Sequence, residues 1–181
     1  MARAHKPSTK PSDPVTVKSA VQSTVEREIK LAIGDRFRLP KLPGISLPRR
    51  RLTSTYYDTA QYDLAHAGIT LRHRVERGKQ AWQLKLALMK DRQEIELVDR
   101  QSAPPPLFRD LLFLHLGQRP LMPVATLRVW RTGVRVRMDN IPVADVTLDH
   151  VSVMKDETVL QRFRELEIEQ VNGEDNTLPD L

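Results

Sequence analysis

The chain has no cysteine. Disulfides and thiolate-ligated zinc are therefore excluded, and the expected home is the cytoplasm. No stretch approaches the ~20 apolar residues of a membrane span, so no membrane partner is expected. The N-terminus lacks the apolar h-region of a secretory signal. There is no G-x-x-x-x-G-K-S/T loop and no G-x-S-x-G elbow, which argues against P-loop and serine-hydrolase chemistry. The five histidines (His5, His66, His73, His115 and His150) show no paired ligand spacing and read as structural or surface residues.

What is present is ordinary in amount and unusual in arrangement. The 181 residues suffice for one domain with a core, at 40% hydrophobic and 29% charged content. Net charge is +6, and residues 1 to 22 hold Arg3, Lys6, Lys10 and Lys18 against Asp13 alone. This stretch, rich in Lys, Ser, Thr and Pro, reads as a disordered basic tail; binding of nucleic acid is the less favoured reading. Residues 23 to 181 are expected to form the folded domain, with ordered chain from near Thr24. Pro40, Pro43, Gly44 and Pro48 mark an irregular connection. After Pro104, Pro105 and Pro106, Leu107 to Leu116 predicts a short apolar helix that Gly117 stops.

Most of the remainder alternates with period two, the signal of strands. In Val25 to Leu31, Glu26, Glu28 and Lys30 alternate with Val25, Ile29 and Leu31, with Arg27 as the exception. Arg72 and Arg74 oppose Leu71, His73 and Val75. Gln83 and Lys85 oppose Trp82, Leu84 and Leu86. The same holds for Arg92, Glu94 and Glu96; for Arg131, Arg135 and Arg137; for Asp145, Thr147 and Asp149; and for Glu165, Glu167 and Glu169.

Any one such segment fits an open sheet with a solvated face. Two features of the set point elsewhere. The signs are clustered: the first and last segments are acidic and the middle ones carry arginine, although like charges at i and i+2 repel on one face. Long Arg and Glu side chains also fill slots where a wet face normally uses Thr and Ser. An eight-stranded closed antiparallel barrel would turn these groups into a charged lumen. Its apolar outer faces would then need covering by a few flanking helices.

Glu26 and Glu28 stand about 6–7 Å apart along one strand face, and carboxylate oxygens suit hard cations such as Mg²⁺ or Mn²⁺. Closure would bring Glu165, Glu167 and Glu169 beside them, and five carboxylates could not all stay ionised without a cation. Arg72, Arg74, Arg131, Arg135 and Lys85 supply the planar forks and point charge that phosphate needs. Tyr56, Tyr57, Asp58 and Thr59 form a polar and aromatic cluster, which reads equally well as a strand end with a turn cap.

In order and spacing these residues resemble the CYTH family, also called triphosphate tunnel metalloenzymes. Glu26-x-Glu28-x-Lys30 is similar to the family's opening motif, and the Tyr-Tyr-Asp-Thr run from Tyr56 to its next landmark. Leu71-Arg72-His73-Arg74, Leu84-Lys85, Arg92-x-Glu94-x-Glu96, Arg131, Asp149 and the Glu165/Glu167/Glu169 series complete the order. The resemblance implies an eight-stranded tunnel and Mg²⁺- or Mn²⁺-dependent attack on a triphosphate. By position, Glu26, Glu28, Glu165, Glu167 and Glu169 would hold metal, with Asp149 joining them. Lys30, Arg72, Arg74, Lys85, Arg92, Arg131 and Arg135 would grip phosphates, and Tyr56 with Lys85 would help activate water.

Family members act on inorganic triphosphate, thiamine triphosphate, ATP or RNA 5′-triphosphate. Trp82 and Trp130, which could stack on a base, fall in the outward apolar phase, so inorganic triphosphate is preferred. The alternatives are a non-catalytic polyphosphate-binding module, a thiamine triphosphatase and a class IV-type adenylyl cyclase. Two departures from the pattern stand out. The connection from Gly34 to Pro48 is broken by proline where the family has a longer helix. The chain also stops at Leu181, where Gly173 to Leu181 starts another helix. The expectation is an excised domain, monomeric or homodimeric, followed in its parent chain by a CHAD-type polyphosphate-binding domain.

Overall fold

The computed structural model describes residues 21–87 and 91–171. They form nine strands and three short helices: β1 (Val21–Glu26), β2 (Glu28–Ile33), β3 (Gly44–Asp58), α1 (Asp63–His66), β4 (Thr70–Glu76), β5 (Lys79–Ala87), β6 (Arg92–Val98), α2 (Pro106–Leu111), α3 (Phe113–Leu116), β7 (Met122–Met138), β8 (Ile141–Lys155) and β9 (Thr158–Gln170). All nine strands belong to one antiparallel sheet in the order β1-β6-β5-β4-β3-β7-β8-β9-β2. The seven segments of alternating charge all lie on these strands. β1 begins at Val21, ahead of the expected start at Thr24. The rest of the basic tail (residues 1–20) and the helix expected in Gly173–Leu181 lie outside the described residues.

The expected closed eight-stranded barrel is corrected to a curled sheet of nine strands that ends at β1 and β2. The cause is Arg27, the residue that interrupts the alternation of its segment. It divides what reads as one strand into two; β1 pairs with β6 and β2 with β9. Among the described residues no ladder joins β6 to β9. Arg27 fixes the corner: its carbonyl accepts from the Gln170 amide at 3.0 Å, and its Nε reaches Asp91 at 3.2 Å. The sheet curls far enough for its two flanks to touch, since Arg92 on β6 donates to Glu28 on β2 at 2.9 Å.

β3 has no counterpart in the sequence reading, which placed an irregular connection there. Its charges, Arg49, Arg50 and Arg51, are consecutive and hide the two-residue period. Pro48 also argues against a central strand. A register shift between Leu47 and Arg50 resolves both, because the bulge holds Pro48 and Arg49 out of the ladder with β7.

The outer faces of β4, β5 and β6 are apolar and are covered by the helices. Trp82, Leu84, Leu71 and Leu97 pack with Leu64, Phe108, Leu112 and Leu116 in one core cluster, where Trp82 and Phe108 have no exposed surface. Burying such side chains contributes about 1.5–3 kcal/mol each. The indole N–H of Trp82 donates to the Gln101 carbonyl at 2.9 Å, so the buried polar atom is satisfied. The helix expected over Leu107–Leu116 is two, divided at Leu112; Gly117, at φ 56°, stops the second. Asp58 is buried and accepts from the amides of Thr59, Leu64 and Ala65 at 2.7, 2.9 and 3.0 Å. It thus ends β3 and starts α1, the turn-cap role. No described helix is long and apolar enough to cross a membrane.

Candidate functional site

Residues paired directly across antiparallel strands share a face, so the register lays out the inner surface as rows. On one flank Arg131, Asp149 and Glu165 form a row across β7, β8 and β9. Glu167 lies opposite Lys30, and Glu169 opposite Glu28, between β9 and β2. On the other flank Tyr56, Arg72, Gln83 and Glu96 form a row across β3, β4, β5 and β6, with Lys85 opposite Glu94 beside it.

The two flanks enclose a cavity of about 90 Å³, to which every strand except β6 contributes lining. It brings together Tyr56, Lys30, Arg72, Arg74, Lys85, Arg131, Glu26, Asp149, Glu165, Glu167 and Glu169. Three residues named from the sequence do not line it. Arg92 and Glu28 pair with each other at the seam between flanks. Arg135 forms a two-bond fork with Asp145, 2.7 Å at each contact, beyond the cavity.

Within the cavity the cations sit largely opposite the acids. Arg72, Arg74 and Lys85 occupy β4 and β5, whereas Asp149, Glu165, Glu167 and Glu169 occupy β8 and β9. Lys30 and Arg131 instead stand beside the acids, with Lys30 Nζ 3.9 Å from Glu167. Arg131 forks onto Asp149 at 2.8 and 2.7 Å and also bonds Glu167. Lys85 bonds Glu26 and reaches Glu94 at 2.9 Å. Burial and Arg72 weigh against the Lys85 ammonium, yet Glu94 and Glu26 together hold its pKa above the usual lysine value. Burial also weighs against the Arg131 charge, but Asp149 and Glu167 outweigh it and raise the pKa.

The remaining groups are less well matched. Burial, then the like charges of Arg72 and Arg131, lowers the pKa of Arg74. Among the described residues its Nε is buried without a hydrogen-bond partner, and its one ion pair, to Glu76, is 3.9 Å long. On the opposite wall Glu165 and Glu169 make no ion pair among the described residues. Burial raises the pKa of both; Asp149 and Glu167 add to this at Glu165 against an opposing Lys30, and Glu167 and Glu28 add to it at Glu169. A half-buried cation with one long ion pair faces half-buried carboxylates that resist ionisation. An anion at the first wall and a cation at the second would relieve both.

The acid wall fits a hard divalent cation by donor type, since its groups are all carboxylate. As they stand, no three of the described acids form a metal-holding group, and Glu26, Asp149 and Glu167 are engaged by Lys85 or Arg131.

The site residues missed from the sequence are those that carry no charge or appeared merely structural. Gln83 is buried, accepts from Arg72 Nε at 2.7 Å, and donates to Glu94 and Glu96 at 3.0 and 2.6 Å. It links the cationic row to two acids. Its place opposite Trp82 in the alternation was the available signal. Ser54 enters the cavity from β3, the strand hidden by its arginine run.

The family model of the CYTH domain matches residues 24–181. Curated proteins give no match. Several solved structures share the fold. A Bacillus halodurans protein, provisionally described as an adenylate cyclase, aligns with TM-score 0.53 and 15% identity over 83% of this chain and 82% of its own. A Hippeastrum protein, provisionally called an adenylyl cyclase and described as having a dominant triphosphatase activity, aligns with TM-score 0.50 and 18% identity over 81% of this chain and 80% of its own. A Pyrococcus horikoshii OT3 protein described without an activity aligns with TM-score 0.50 and 18% identity over 83% and 80%. With its acid and arginine strands in the expected order and the family match spanning the whole described sheet beyond its first three residues, this chain belongs to the CYTH domain family.

Proposed function

We propose that the protein is a divalent-metal-dependent triphosphatase that hydrolyses inorganic triphosphate within the curled sheet. The observation that carries this reading is the division of one cavity into a cationic wall and a carboxylate wall. The activity described for the Hippeastrum relative agrees with it. Tyr56 is the sole aromatic ring among the described lining residues, which gives a base or thiazolium ring little to stack on.

In this reading Arg72 and Arg74 fork onto phosphate oxygens, and Lys85 adds a point charge beside them. Gln83 fixes the Arg72 guanidinium from behind. Glu165, Glu167 and Glu169, with Glu26, would hold Mg²⁺ or Mn²⁺, and Asp149 would orient that set. When bound, the metal supplies charge neutralisation and an acidified water. Arg131, which forks onto Asp149 and bonds Glu167, would be available to the phosphates once those carboxylates hold a cation. Lys85 and Tyr56 orient the attacking water, and positioning plus charge neutralisation carries most of the catalysis.

The test is phosphate release from tripolyphosphate with Mg²⁺ and with Mn²⁺. Arg72→Ala and Glu167→Ala should each lower turnover by roughly 100-fold or more while the circular dichroism spectrum stays unchanged. A wild-type protein inert with both metals, or unchanged turnover in both variants, ends the proposal.

A further inference from the structure

Beyond Arg74 the cationic wall continues outward. A second cavity of about 750 Å³, much larger than the first, opens at the end of the sheet where β4 turns into β5. Arg74 lines both cavities. The outer cavity adds Arg50, Arg77, Lys79 and Arg100. Its two acids are already occupied: Glu76 lies 3.7 Å from Arg50 and 3.9 Å from Arg74, and Glu96 accepts from Gln83 at 2.6 Å. Arg77, Lys79 and Arg100 make no ion pair among the described residues, although Arg77 donates to the Arg49 carbonyl at 3.3 Å.

The tip of the β4–β5 hairpin is informative. Arg77 and Gly78 both have positive φ, 49° and 79°, the pattern of a two-residue turn. Asparagine followed by glycine is the stable choice for such a turn. Arginine there is not what turn stability favours. Among the described residues the lining of the outer cavity contains no aromatic ring, so it offers charge without a surface for a nucleobase.

We propose that this outer basic cavity is a binding site for the distal phosphates of a linear polyphosphate longer than three units, threaded past Arg74 into the inner cavity. The proposal rests on the triphosphatase reading for the inner cavity and extends its substrate class to longer inorganic chains. Arg77, Lys79 and Arg100 hold phosphates by exposed charge, so their contribution weakens with salt.

The test compares tripolyphosphate with a medium-chain linear polyphosphate by calorimetry in metal-free buffer, where hydrolysis does not run. The proteins are wild type and the double variant Arg77→Asn/Arg100→Ser, whose turn substitution favours folding. Longer chains offer more binding registers, so the deciding quantity is the change in preference on substitution. The double variant should bind the long chain about tenfold more weakly and tripolyphosphate less than about twofold more weakly. An unchanged preference, or an equal loss for both ligands, overturns the proposal. Failure of the wild type to hydrolyse tripolyphosphate with either metal sinks the triphosphatase reading separately. A selective loss of long-chain binding would still establish the outer site in that case.

Discussion

Leu84 and Lys85 are neighbours on β5, and both are buried, at 0% and 8% exposure. One points out to the helices and the other into the cavity. Burial of Leu84 is favourable in itself. Burial of Lys85 is unfavourable and persists because Glu26 and Glu94 enclose the ammonium. The same strand therefore carries a face that stabilises the fold and a face that the fold tolerates. Trp82 and Gln83 repeat the contrast one step earlier.

The largest predicted effect lies on the outer face. Trp82→Ala empties the centre of the helix-covered core, removing its contacts with Tyr57 and His73. It should destabilise the protein by about 3–5 kcal/mol in denaturant melts. A smaller loss would mean that the helices collapse onto the space. On the inner face Lys85→Met leaves Glu26 and Glu94 close together without a cation, at a cost of about 3 kcal/mol. The triple variant Lys85→Met/Glu26→Gln/Glu94→Gln should recover most of this stability yet regain no turnover. Recovery of turnover would remove Lys85 from the site. If the triple variant were as unstable as the single one, the charges would not be the cause.

This division also explains what could be read from the sequence. Alternation reports which face a residue takes, and it placed Trp82, Arg72 and the terminal glutamates correctly because each strand has one charged and one apolar side. It could not place β3, where Arg49, Arg50 and Arg51 occupy both phases around a bulge. Nor could it separate Arg131 from Arg135. Both sit on the inner face of β7 and both fork onto an aspartate, but only Arg131 reaches the cavity, a difference of position along the strand that period two does not encode. Arg27 was visible as an exception to the pattern. That one exception divides a strand between two flanks was legible only from the ladder.

Gly133 offers an intermediate test, on the backbone between the two faces. A Cβ there would meet the Val146 carbonyl oxygen at 2.4 Å and the Thr147 Cα at 2.9 Å, so β7 and β8 approach closely at this point. Gly133→Ala should cost about 1–3 kcal/mol and displace the Asp149 wall. Its turnover should therefore fall further than that of an equally destabilised core variant. A matching fall would make Gly133 a packing position alone.

The smallest effect has the opposite sign. Burial and the carboxylates of Glu167 and Glu28 raise the pKa of Glu169 in the folded protein. A raised pKa means the folded state prefers the protonated acid. Glu169 thus contributes stability below the unfolded-state value, and that contribution is lost as pH rises through the folded-state value. At neutral pH the ionised group is a burden on the metal-free protein. Glu169→Gln should raise the metal-free Tm at pH 7 by about 1–2 °C, with the gain vanishing in acid. Mg²⁺ should raise the Tm of the wild type more than that of the variant, because the cation relieves in one protein what the amide has already relieved in the other. A variant that melts lower than the wild type at pH 7 without metal would show that Glu169 is already well partnered, and that the acid wall has no unmet need for a cation at that position.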